Sequence, residues 1–98
     1  MATSKEYKAY IEDQLRGLDI SFKAMMGEYI LYYNGVIVGG IYDDRLLVKE
    51  TKTNESYNME EQIPYPGAKP MYAVDDVDNI ENLKEIILST YNGLLSNR

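Results

Sequence analysis

Two stretches of the chain place apolar residues at the spacing of an amphipathic helix. In the first, Thr3 can serve as the N-cap of a capping box with Glu6, and Gly17 can end the helix in a left-handed conformation. This pattern predicts a helix over 4–16. Its apolar positions are Tyr7, Ile11, Leu15 and Leu18.

The second stretch lies at the C-terminal end. Asp78 and Glu81 have the spacing of another capping box, and the apolar positions that follow predict a helix over 79–95. Those positions are Ile80, Leu83, Ile87 and Leu94.

The region between the helices alternates short β-forming runs with turn residues. Strands are predicted over 20–26 and 28–33, and the next strand follows Asn34-Gly35, which is the strongest short hairpin signal. A two-residue turn there places Tyr33 opposite Val36, Leu31 opposite Val38 and Tyr29 opposite Gly40. Asp43-Asp44 is predicted to make a second turn, and a strand from Arg45 to about Thr51 completes a three-strand meander.

Residues 52–70 are the least regular part of the sequence. Asn54 can cap a short helix over 55–62, which Pro64 stops. Residues 65–68 fit a type II turn, and 71–74 fit a last short strand. Together these elements predict one α+β domain over 1–98, a two-layer fold with an antiparallel meander sheet and N-terminal and C-terminal helices.

The meander is apolar on both faces, whereas a sheet with one wet face should be polar at every second position. Two helices cover about one face of a small sheet, so the second face must be covered by the 52–70 segment, by a helix packed on the opposite side, or by another subunit. The predicted register gives one face Ile30, Tyr32, Ile37, Ile41, Leu46 and Val48. It gives the other face, which we predict to bind a protein partner or a second copy, Tyr29, Leu31, Tyr33, Val36, Val38 and Leu47.

Composition removes several classes of function. The 98 residues include neither cysteine nor histidine, so no thiolate nucleophile, disulfide, zinc-finger ligand set or histidine base can form. The net charge of −6 disfavours direct nucleic-acid binding by the isolated domain. No run of about 18 apolar residues and no signal-type segment is present. We therefore expect a soluble cytoplasmic protein that does not enter the membrane.

Residues 25–50 resemble the N-terminal domain of the TfoX (Sxy) competence regulators. The similarity lies in Met25-Met26-Gly27, in the strand over 28–33, in Asn34-Gly35, and in Asp43-Asp44-Arg45-Leu46 with Lys49. Weaker likeness extends over 6–95 and includes Tyr65, Gly67, Lys69-Pro70 and Tyr72.

The resemblance implies a two-layer α/β domain and a role in switching on DNA-uptake genes, in some bacteria together with the cyclic-AMP receptor protein. Full regulators of that family carry a second, helical domain, and this chain ends at Arg98 without one. The family offers no catalytic residues to carry over.

Two carboxylate clusters invite a chemical interpretation. Residues 75–78 with Glu81 resemble a cation site, but acidic residues ahead of a helix ordinarily serve its cap and dipole. Asp43-Asp44-Arg45 resembles an acid pair with a cationic clamp, but adjacent aspartates at a hairpin tip are ordinarily turn formers.

We therefore expect no catalytic, metal or cofactor site and a regulatory, protein-binding role. The alternatives are a small acid–base or metal-assisted enzyme that uses Asp, Glu and Tyr, and a small-molecule binder with a cleft between sheet and final helix. A carboxylate of perturbed pKa in a closed pocket would favour the enzyme.

Overall fold

The computed structural model describes residues 3–96 and confirms the α+β class. Helix α1 spans Lys5–Gln14 and helix α2 spans Ile80–Ser96, with a short 3-10 turn at Glu55–Tyr57. One antiparallel sheet has the strand order β1-β2-β3-β4-β6-β5. Its strands are β1 (Ile20–Met25), β2 (Glu28–Tyr33), β3 (Val36–Tyr42), β4 (Arg45–Val48), β5 (Glu60–Gln62) and β6 (Met71–Ala73).

Two-residue turns connect the first four strands, and the backbone at each turn is left-handed. Asn34 and Gly35 have φ of 50° and 78°, and Asp43 and Asp44 have φ of 52° and 55°. Paired positive φ values give the turn the twist that flanking strands need. The predicted Asn34-Gly35 hairpin is therefore confirmed, and the Asp43-Asp44 turn also has two residues.

The predicted register of β2 and β3 is right only beside the turn. Tyr33 faces Val36 and Tyr32 faces Ile37, but a β-bulge follows and Leu31 then faces Gly39 instead of Val38. Val38 is the extra residue, so every later side chain of β3 lies on the face opposite to the predicted one.

The strand pairing at the bulge depends on a glycine. A Cβ atom added to Gly39 would lie 2.1 Å from the Leu47 carbonyl oxygen and 2.8 Å from the Val48 Cα. Because both neighbours are backbone atoms, no side-chain rotation can make room. Gly39 thus allows β4 to approach β3 closely.

Both helices pack on one face of the sheet, so the alternative of one helix on each face is wrong. Ile11 and Leu15 of α1 and Leu83, Ile86 and Ile87 of α2 join a single core with the sheet. The sheet residues of that core are Leu31, Val38, Ile41, Leu46, Val48 and Val74.

The predicted N-cap of α1 is off by one residue. The Ser4 hydroxyl, not that of Thr3, accepts the hydrogen bond from the Tyr7 amide at 3.1 Å. Thr3 instead donates from its amide and hydroxyl to one carboxylate oxygen of Glu28, at 2.9 and 2.7 Å. Ser4 also donates its amide to Asp44. These bonds tie the start of the helix to the turns that precede β2 and β4.

The C-terminal helix lies where the sequence predicts it, within one residue at each end. Its cap is Asn79, whose side-chain oxygen accepts from the Asn82 amide at 3.1 Å. The prediction that Asp78 caps this helix is wrong, because the Asp78 carboxylate accepts from the Tyr10 hydroxyl of α1 instead. No helix within residues 3–96 is both long and apolar enough to cross a membrane.

The predicted helix over 55–62 is also wrong. Asn54 is fully buried and does not cap a helix, because its amide group bonds Lys49, Thr51 and Thr90. Only a 3-10 turn follows it, and residues 60–62 form β5 beside β6. The short strand predicted at 71–74 is confirmed as β6, and the Ala68 amide closes the predicted turn on the Tyr65 carbonyl at 3.1 Å.

The close approach at Gly39 generates a prediction for stability. Gly39→Ala should lower the free energy of unfolding by about 3 kcal/mol, because the added methyl group meets the backbone of β4. Gly35→Asn is the control, since nothing lies within 4 Å of a Cβ there and asparagine tolerates the left-handed turn. Denaturant unfolding of both variants measures the difference. Equal stability of Gly39→Ala and wild type would contradict the steric argument.

Candidate interaction surface

The structure does not expose the six residues predicted to bind a partner. Leu31, Val38 and Leu47 have 0% exposed surface, and Tyr33 packs edge-on against Tyr91 of α2 with ring centroids 4.8 Å apart. Tyr29 and Tyr33 pack against the core, and Val36 is half-buried. The predicted docking face is therefore wrong, because five of the six lie on the side that the helices cover.

Leu47 does not share a face with the other five. It pairs with Gly40 in β3 and with Ala73 in β6, whereas its neighbours Leu46 and Val48 belong to the core under the helices. The bulge at Val38 is the cause, because it exchanges the faces of every residue after it in the meander.

The face opposite to the helices, here called the outer face, carries exposed apolar residues. Ile37 is 37% exposed and Met25 is 44% exposed, while Ile30 and Tyr32 are half-buried. Tyr32 and Ile37 stand directly opposite each other on neighbouring strands. We call these four residues the outer patch. In the predicted scheme Ile30, Tyr32 and Ile37 belonged to the covered face.

The segment after β5 covers the other half of the outer face. Arg45 of β4 holds it, with its guanidinium donating to the Gln62 side chain at 2.7 Å and to the Ile63 and Pro64 carbonyls at 3.4 Å. The Tyr65 ring contacts the Tyr42 ring at a centroid distance of 6.0 Å. Arg45 is thus engaged in holding this segment and does not clamp Asp43 or Asp44.

A groove of about 640 Å³ separates this segment from β3. We call it the outer groove. Ile37 lies at one end and Tyr42 at the other, so the groove borders the outer patch. Its remaining lining comes from the ends of β4 and α2 and from the covering segment: Gly39, Lys49, Glu50, Pro64, Tyr65, Ala68, Lys69, Pro70, Met71 and Leu94.

Charge in the outer groove is uneven. Lys49 and Lys69 line it, and neither forms a salt bridge with any carboxylate among residues 3–96. Partial desolvation and the nearby carboxylates of Glu61 and Glu55 raise the pKa of Glu50 to about 7, although its side chain is exposed. Glu50 therefore interacts with other carboxylates and is only partly ionised at neutral pH.

The neighbouring tyrosines stay protonated. Burial raises the pKa of Tyr42, and Tyr65 and Glu28 contribute to the shift. Burial also raises the pKa of Tyr72, with Glu50, Glu55 and Glu61 contributing. Their hydroxyl groups can donate hydrogen bonds but are poor bases near neutral pH.

The carboxylate clusters considered from the sequence have structural partners. Asp44 accepts from the amide and hydroxyl of Ser4, and Asp78 accepts from Tyr10. Within the described part of the chain, no three acidic side chains are grouped so that they could hold a metal ion.

The 52–70 segment, one of the three covers predicted for the second sheet face, is the one that lies over part of it. Its run Pro64-Tyr65-Pro66 is rigid, and such a segment suits a cover over an apolar sheet face. No local sequence pattern indicates that Lys49 and Lys69 line one groove, because they are 20 positions apart in the chain.

The Glu50 environment generates a pH prediction. A carboxyl whose folded pKa lies above its ordinary value of 4.5 makes stability fall as pH rises from about 4.5 to about 7, because the unfolded chain releases the proton first. Glu50→Gln should therefore raise the melting temperature at pH 8 and leave it unchanged at pH 4, where both states are protonated. Glu85→Gln removes the same charge from an exposed position of α2 and is the control. Equal shifts in melting temperature for the two variants at pH 8 would show that the effect comes only from the change in net charge.

The chain is similar in sequence to a protein from a spirochaete. No protein-family model matches the chain. An uncharacterized 12.7 kDa protein in the trpE 5' region of Spirochaeta aurantia is 40% identical over 80 residues, which cover 79% of this chain and 70% of that protein. Because the likeness spans most of both chains, the protein belongs to the same family as this spirochaetal protein.

Proposed function

We propose that the chain is a non-enzymatic, cytoplasmic protein-interaction domain with a role in gene regulation, and that its partner docks on the outer face of the sheet. The observation that carries the proposal is the outer patch, an apolar strip on a face that neither helix covers. Contiguous exposed apolar surface with an aromatic residue is typical of protein-binding sites.

The shape of the surface favours a protein over a small ligand. Tyr32 and Ile37 form a cross-strand pair on a sheet face, and the outer groove beside them is open along β3. Small-molecule sites usually enclose most of the ligand, and the outer patch, which lies on a sheet face, cannot do so. A partner segment can cover both features at once.

The regulatory part of the proposal rests on the resemblance to the TfoX N-terminal domain. The similar residues over 25–50 include the three turns and much of the meander that form the sheet. With a net charge of −6, the domain is expected to act on DNA only through a protein partner.

Glu50 supports a second candidate, an acid–base enzyme. Its pKa of about 7 suits proton transfer near neutral pH. Its side chain is exposed, however, and the groove beside it is open, whereas a catalytic carboxyl is ordinarily tuned inside a site that excludes water. The interaction domain therefore remains the better-supported function.

A substitution in the outer patch tests the proposed docking face. Ile37→Asp should abolish partner binding and leave the fold intact, because the residue is already part-exposed and contributes little to the core. Leu88→Asp is a closely matched control, since Leu88 of α2 is also 37% exposed but faces away from the sheet. Tagged wild type and both variants are cross-linked in the producing cells, and captured proteins are quantified by mass spectrometry.

We expect the same partner with wild type and Leu88→Asp and its loss with Ile37→Asp. Purified partner must then bind wild type directly, and sedimentation must show whether that partner is a second copy. Retention of every captured protein by Ile37→Asp would contradict the proposed docking face.

A further inference from the structure

We propose that the outer groove binds an extended, acidic peptide segment of the partner, with a carboxylate placed between Lys49 and Lys69 and apolar side chains along β3. This inference rests on the proposed function and names the chemistry of the docking segment.

The length of the groove suits an extended chain. Ile37 and Tyr42 lie five positions apart on β3, which at about 3.3 Å per residue is roughly 16 Å. Between them Gly39 lines the groove without a side chain, while the Tyr42 ring packs over Gly40, 2.7 Å from where its Cβ would be. A span of this length matches about five extended residues.

The walls supply apolar and aromatic contacts. Tyr42 and Tyr65 meet at one end with their ring planes inclined by 51°, and Ile37 with the exposed outer patch lies at the other. A segment that leaves the groove at Ile37 continues onto Tyr32 without a break in apolar surface.

Charge complementarity selects an acidic segment. Lys49 and Lys69 have no carboxylate partner among residues 3–96, although the chain carries 16 acidic residues against 10 basic ones. Partial desolvation and the nearby carboxylates of Glu61 and Glu55 raise the pKa of Glu50, the one acidic residue of the lining, and so reduce its negative charge at neutral pH. Repulsion from the rest of the acidic surface is screened beyond about 8 Å at physiological salt.

Matched peptide pools test the proposal. Three pools of capped heptapeptides carry Glu, Gln or Lys at the centre, with flanking positions drawn from Val, Ile, Tyr and Pro. Each pool is titrated into the isotope-labelled chain, and amide resonances report where it binds. We expect the Glu pool to bind most tightly and to shift resonances of 37–42 and 69–71.

Charge removal provides the second readout. The double variant K49Q/K69Q should weaken binding of the Glu pool roughly fivefold, the loss expected for two exposed ionic contacts. The control K5Q/K52Q removes two exposed lysines that lie outside both the groove and the outer patch and should leave binding unchanged. Melting curves confirm that both variants fold.

Several outcomes would overturn the inference. These are equal or tighter binding of the Gln or Lys pool, shifts outside the groove, no binding by any pool at millimolar concentration, and self-association of the chain that K49Q/K69Q abolishes. If the peptides fail while Ile37→Asp still releases the partner, the acidic segment is wrong and the docking face stands. If both experiments fail, the proposed function itself is rejected.

Discussion

The contact between the β3 and β4 backbones at Gly39 is the constraint on which the rest of the structure depends. The bulge places Gly39, and not Val38, opposite both Leu31 and Val48. Side chains alternate between faces along a strand, so one extra residue decides the face of everything that follows. Ile41, Leu46 and Val48 thereby join Leu31 beneath the helices, and a single core forms.

This arrangement also determines what remains exposed. With both helices on one face, the other face has only the segment held by Arg45 to cover it. That segment lies over the half of the sheet formed by β4 and β6, where Leu47 is fully buried. In the half formed by β1, β2 and the start of β3, Met25 and Ile37 are exposed and Ile30 and Tyr32 are half-buried. The groove lies at the boundary between the two halves, so apolar patch and groove have one structural origin.

Local features were predictable from the sequence, and features that depend on distant contacts were not. The two hairpin turns follow from residues that accept positive φ, and α2 follows from its apolar spacing. The bulge has no local signal, since it depends on how closely β4 approaches Gly39. The predicted caps failed for the same reason: Thr3 and Asp78 satisfy the capping pattern but are used by Glu28 and Tyr10. The missed bulge moved Leu47 to the outer face, and the helices cover the face on which the other five predicted docking residues lie.

The chain is acidic overall, but the charge at the outer groove differs from the net charge. The carboxylates of Glu28, Asp44 and Asp78 accept hydrogen bonds from Thr3, Ser4 and Tyr10, and these bonds stabilise the fold. Glu50 lies near Glu61, and the two side chains repel each other once both are charged. The lysines at the groove take part in neither arrangement. A chain of net charge −6 can therefore present a locally basic groove, because its acidic groups are engaged elsewhere. The chemistry of the partner then follows from the charge at the groove and not from the net charge of the chain.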